Sequence, residues 1–111
     1  MRGMLTATAL FFAGVLWPAH AHADEIDYLS GLDSVGVYYD SSVDAINDGK
    51  YVCKMLRSGV PVKSIMTDLA SKGYAWGETG IVVGAASVYM CTEYEDSTKR
   101  QVADLKAQGL Y

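Results

Sequence analysis

Two stretches decide the fold: Ala45-Ile46-Asn47-Asp48-Gly49-Lys50-Tyr51-Val52-Cys53-Lys54-Met55-Leu56, and Gly80-Ile81-Val82-Val83-Gly84-Ala85-Ala86-Ser87-Val88-Tyr89-Met90-Cys91. Each carries apolar residues at helical spacing and ends near a cysteine. Gly49 lies one turn before Cys53, with Ile46 and Leu56 flanking the same face. Gly80, Gly84, Val88 and Cys91 follow a comparable line on the second stretch. A glycine costs up to about 1 kcal/mol inside a helix, so three of them require a reason. Close crossing of two helices is the simplest, since a disulfide holds its Cα atoms about 5.5 Å apart. The two stretches are therefore expected to form a clasped central helix pair.

Helical periodicity extends outward from this pair. Ile26, Leu29, Leu32 and Val35 predict a first helix behind acidic residues suited to a helix N-terminus, broken by Gly36. Val37-Tyr38-Tyr39 is a short connector. Asp40, Ser41 and Ser42 offer N-caps for a second helix, with Val43, Ile46, Cys53 and Leu56 on its apolar side and Gly59 closing it. Pro61 opens a third helix, whose stripe is Val62, Ile65, Met66 and Leu69 and whose stop is Gly73. A fourth, mostly apolar helix is expected over 78–92, and a last amphipathic one over 97–108, with Val102 and Leu105 inward and Gly109 as its stop.

Residues 1–23 read as a secretory signal peptide: Arg2 in the n-region, an apolar stretch from Leu5 to Trp17, then Ala19-His20-Ala21-His22-Ala23 with overlapping A-x-A sites. Cleavage after Ala23 leaves 88 residues, a size at which covalent staples help. The expected location is therefore secreted, extracellular or cell-envelope, with no transmembrane anchor after cleavage. Cys53 and Cys91 are the only cysteines, so one intramolecular pairing exists in an oxidising compartment. An intermolecular bridge or two free thiols are the alternatives.

The charge balance is nine basic against thirteen acidic residues, and it falls to −5 without Arg2. That excess argues against a nucleic-acid partner. His20 and His22 both lie in the leader, so a cleaved chain has no histidine for Ser-His-Asp or Cys-His catalysis or for zinc. Cys53 as a nucleophile would lack a base. Gly77-Glu78-Thr79-Gly80 has no lysine for a phosphate loop, and its glutamate would repel phosphate; a turn and helix start account for it better. Asp40, Asp44 and Asp48 share one side of the second helix, but a calcium loop from Asp44 would need oxygen ligands at Ile46 and Met55. A solvated acidic face is the reading. The expectation is no enzyme, no metal and no cofactor.

Two features remain for function. Seven carboxylates fall between Asp24 and Asp48, ahead of Lys50, while Lys99, Arg100 and Lys106 gather at the other end. This arrangement suits either complementary packing of the terminal helices or an acidic face that meets a basic partner. All eight tyrosines follow residue 23. They serve either a small core or an aromatic surface, and Tyr38, Tyr39, Tyr74 and Trp76 are the candidate interaction residues.

The order of these elements resembles the small secreted mycobacterial family known as domain of unknown function 732. The matching residues are Asp27-Tyr28-Leu29 with Leu32, Ala45-Ile46 with Gly49, Val52-Cys53 with Leu56 and Gly59, then Ile65, Leu69 and Gly73, and Val83-Gly84-Ala85-Ala86 ahead of Tyr89 and Cys91. The resemblance spans 24–92. Met90 stands where the family usually places tyrosine beside its second cysteine, and the chain continues past Cys91. The resemblance implies a secretory signal, an all-helical domain and a Cys53–Cys91 disulfide. It transfers no activity and no site.

Together these readings predict an all-α fold: a bundle of about four helices stapled by one disulfide (24–92), plus a C-terminal helical extension (93–111). The expected function is a non-enzymatic interaction module for an unknown protein or envelope component. The alternative is a carrier of a small apolar ligand or lipid, sealed in a cavity lined by Val83, Val88 and Met66.

Overall fold

A computed structural model describes residues 24–111; the signal-peptide reading lies outside them. Among the described residues five α-helices follow in order: α1 (24–34), α2 (Ser42–Arg57), α3 (Val62–Ser71), α4 (Trp76–Tyr89) and α5 (Glu95–Ala107). A single 3-10 turn, Thr92–Tyr94, separates the last two. No strand occurs among the described residues.

The helix ends are set by local chemistry. Ser41 caps α2 by accepting from the Asp44 N–H at 3.0 Å. Gly36, Gly59, Gly73 and Gly109 all adopt positive φ. After each, the next residue donates to the carbonyl five positions back: Val37 to Leu32, Val60 to Met55, Tyr74 to Leu69 and Leu110 to Leu105. In each case two apolar or aromatic side chains accompany the bond, as the Schellman reversal favours. Thus α1, α2, α3 and α5 share one terminator, and α4 ends without it.

The core is continuous. Val62, Ile65, Met66 and Leu69 of α3 are fully buried, as their spacing predicts, and they meet Val82, Val83 and Ala86 of α4. The buried face of α2 is Ala45, Gly49, Val52, Cys53 and Leu56. Val43 is 67% exposed rather than inward, because the fully buried Ala45 in the same turn takes the inward side and Val43 points away from it. On α1 the inward residues are Tyr28 and Leu32, whereas Ile26 and Val35 face solvent. The first helix is thus rotated from the face that its aliphatic residues suggest.

Cys53 and Cys91 form the disulfide, with Cα atoms 5.9 Å apart. Cys91 is not on the fourth helix as expected. It lies just beyond it, in a non-helical conformation between α4 and the 3-10 turn. α2 and α4 do pack on one another, but the three glycines do not line up along that crossing. A Cβ on Gly49 would lie 2.7 Å from Met90 Sδ and 2.9 Å from Tyr28 Cζ. One on Gly80 would collide with the Tyr111 ring, and one on Gly84 would meet nothing within 4 Å. Only Gly49 therefore admits neighbours at the α2 crossing.

The extension is docked. α5 packs on α3 and α4. Gln101 accepts from the Val62 N–H at 2.9 Å, capping α3, whose own N-cap is Pro61 and offers no side-chain bond. The Trp76 indole donates to the Leu110 carbonyl at 3.1 Å, and the Tyr111 hydroxyl to the Gly77 carbonyl at 2.7 Å. The chain end is thereby fixed beside the start of α4, so the two helices run antiparallel.

Candidate functional site: a tyrosine and aspartate cleft

The Schellman reversal after Gly73 turns Tyr74 back against α2, and the α1–α2 connector brings Tyr38 and Tyr39 to the same end of the bundle. Between them lies an open cleft of about 390 Å³, also lined by Asp40, Asp44, Asn47 and Asp48 of the α2 side and by Lys72. Three of the four candidate interaction residues, Tyr38, Tyr39 and Tyr74, converge here. Trp76 does not. Although 37% exposed, it is engaged by Leu110 and packs edge-on against Tyr111, with ring centroids 6.3 Å apart.

Asp48 organises the cleft. One of its oxygens accepts from the Tyr74 hydroxyl at 2.7 Å, and the other pairs with Lys72 Nζ at 3.3 Å. The Lys72 ammonium also stands 4.6 Å from the Tyr51 ring centroid. Tyr38 donates to Asp40 at 2.9 Å and Tyr39 to Asp33 at 2.8 Å. No described residue donates to the exposed Asp44 carboxylate. The aspartates that the sequence presents as one solvated face are therefore distinct: Asp48 is tied, Asp40 has one phenol, and Asp44 is open.

The phenols are held protonated. Burial, followed by the Asp48 bond, raises the Tyr74 hydroxyl above its ordinary range. The bonds to Asp40 and Asp33 raise Tyr38 and Tyr39. Beneath them, Tyr28 is fully buried with its hydroxyl unpartnered, and burial raises it strongly, with Asp48 adding to the effect. A phenol whose ionisation is pushed upward offers a donor and a ring face at neutral pH rather than a base. Among the described residues no group of three His, Cys, Asp or Glu side chains could hold a metal ion.

The charge pattern between the chain's two ends does not resolve into pairing of terminal helices. Glu25 pairs with Lys50 at 3.2 Å, Asp48 with Lys72, and Lys99 with Glu95 of its own helix at 2.7 Å. Two of the N-terminal acids, Glu25 and Asp48, thus meet cations of α2 and the α3–α4 turn.

A stapled helical bundle with a polar cleft at one end, and no helix among the described residues long and apolar enough to cross a membrane, defines a small all-α domain. Residues 23–93 match the family described as protein of unknown function (DUF732), and the chain belongs to that family. The match takes in the cleft and both cysteines and stops short of α5. No curated protein and no solved structure matches the chain.

Proposed function

We propose that the chain is a non-enzymatic interaction module, delivered outside the cytoplasm by its N-terminal segment. In this reading the cleft seats a basic side chain of a secreted or envelope protein partner. Lys72 is the observation that carries it. This ammonium is held between a carboxylate and an aromatic face, two groups that each attract a cation. Beside it, Asp44, Asp40 and the 74% exposed Tyr38 present the same combination with no cation in place. A second basic group entering the cleft completes the pattern.

The test is a nuclear magnetic resonance titration of the isotope-labelled chain with a short arginine- and lysine-containing peptide. Shift changes should centre on Tyr38, Asp44, Asp48 and Tyr74, weaken with salt, and fade in Asp44→Asn. Changes scattered away from the cleft, or unaltered by that substitution, would remove the reading. For the carrier alternative, Val83 and Met66 are fully buried in the core and Val88 is half-buried. Neither the cleft nor the trough between α4 and α5 is lined by them.

A further inference from the structure

Among the described residues the three most exposed large apolar side chains are Tyr38 (74%), Val43 (67%) and Val35 (58%). All three fall within 35–43, the stretch that leaves α1 and enters α2, and Tyr38 at its middle lines the cleft. Single exposed apolar residues are ordinary on a protein surface. A cluster of them bordered by charged groups marks a contact surface. Val43 is one helical turn before the cleft-lining Asn47 and on the same side of α2. Val35 is three residues from Tyr38, so their Cα atoms are at most about 11 Å apart. The apolar groups therefore stand at the margin of the cleft.

They are also held in place. Gly36 reverses the chain after α1, and the buried Val37 donates to the Leu32 carbonyl at 3.1 Å. The Tyr38 N–H donates to Glu78 of α4 at 3.5 Å, and the Tyr39 hydroxyl donates to Asp33 of α1 at 2.8 Å. The connector is thus tied to both helices. A surface presented on a fixed backbone has little freedom left to lose on binding. The cleft supplies the sign of the partner, because Asp40, Asp44 and Asp48 face it against the one ammonium of Lys72. That excess attracts a cationic segment and repels an anionic lipid surface.

We infer that the partner's docking segment is a basic residue flanked by aliphatic ones. The cation enters beside Asp44, and the flanking side chains cover Val43 and Val35. The inference rests on the reading of the cleft as a seat for a basic side chain of a protein, and adds what borders that side chain in the partner.

Two peptides of equal charge test it, Gly-Gly-Arg-Gly-Gly and Gly-Leu-Arg-Leu-Gly, both acetylated and amidated. Each is titrated into the full chain and followed by nuclear magnetic resonance. The leucine peptide should bind about tenfold more tightly, an amount that partial burial of one or two aliphatic side chains supplies. Its additional shift changes should fall on Val35 and Val43. The double variant Val35→Ser, Val43→Ser should melt as the parent does, because both side chains are exposed. In that variant the affinity ratio of the two peptides should fall to about one. Asp44→Asn should weaken both peptides. Equal affinities in the parent, with shifts confined to the cleft, would overturn the inference and leave the reading of the cleft standing. Binding of neither peptide would remove both. A leucine advantage that survives the double variant would place the apolar contact elsewhere and sink the inference. So would uptake by phosphatidylcholine vesicles, or a concentration-dependent dimer, that the double variant abolishes, since the surface would then belong to lipid or to a second copy of the chain.

Discussion

The Tyr74 hydroxyl donates to Asp48 across 26 positions of sequence at 2.7 Å, tying the turn between α3 and α4 to the middle of α2. The bond is to a charged acceptor and half-buried, and Lys72 takes the other carboxylate oxygen. Tyr74→Phe should therefore lower stability by about 1–2 kcal/mol. Tyr28→Phe should do the opposite and raise it by about 1 kcal/mol, because its buried hydroxyl has no partner to lose. Urea denaturation of both variants decides this, and a loss in Tyr28→Phe would mean that the hydroxyl is satisfied after all.

Two helical glycines should likewise respond with opposite signs. Gly49→Ala places a methyl group against Met90 and the fully buried Tyr28 ring, and should cost about 1–3 kcal/mol through overpacking. Gly84→Ala meets nothing within 4 Å and removes a helix-weakening residue, so it should gain up to about 1 kcal/mol. Thermal melts followed by circular dichroism separate the two.

Alkaline pH should destabilise the fold. Tyr28, Tyr38, Tyr39, Tyr51, Tyr74 and Tyr111 all have phenols raised above 10.0 in the folded chain. Between that value and the raised ones the unfolded chain loses protons that the folded chain retains, so stability is full below about pH 10 and falls as pH rises. The urea midpoint should be lower at pH 11 than at pH 9. In a phenolate absorbance titration, Tyr28 and Tyr74 should ionise only as the chain unfolds.

Reduction should matter more than any of these substitutions. With 38 positions between Cys53 and Cys91, loop-closure entropy assigns the bridge about 4 kcal/mol. The Cys53→Ser, Cys91→Ser double variant should melt well below the parent, and parental melting would contradict a stapling role.

Much of this architecture is legible in the sequence, for identifiable reasons. Glycine after an apolar turn marks the end of α1, α2, α3 and α5, since each reversal needs positive φ and an apolar pair across it. The α3 stripe is legible because its inward residues are all plain hydrocarbons or methionine. The α1 face is not, because Tyr28 carries a hydroxyl and the aliphatic Ile26 and Val35 flank it on the outside. The end of α4 is hidden by the absence of a stop residue in a long apolar run, which is why Cys91 is expected on the helix and found beyond it. For the cleft, the tyrosines and aspartates are each visible as residue types. Their union is not, because it depends on the turn at Gly73 bringing Lys72 and Tyr74 beside Asp48. The capping of α3 by Gln101 is equally silent in sequence, since its two partners are 39 positions apart.

Cys91 lies just past the last turn of α4, and the bridge back to Cys53 therefore encloses the end of α2, all of α3 and all of α4. A tension applied at the two ends of the chain travels through α1 and most of α2, crosses the sulfur–sulfur bond, and leaves through α5. The helices with the most deeply buried faces are off that load path. About 130 Å of contour, the extended length of the enclosed residues, is withheld from stretching until the bridge is reduced. A domain held at its two ends would give a short extension when oxidised and a long one when reduced.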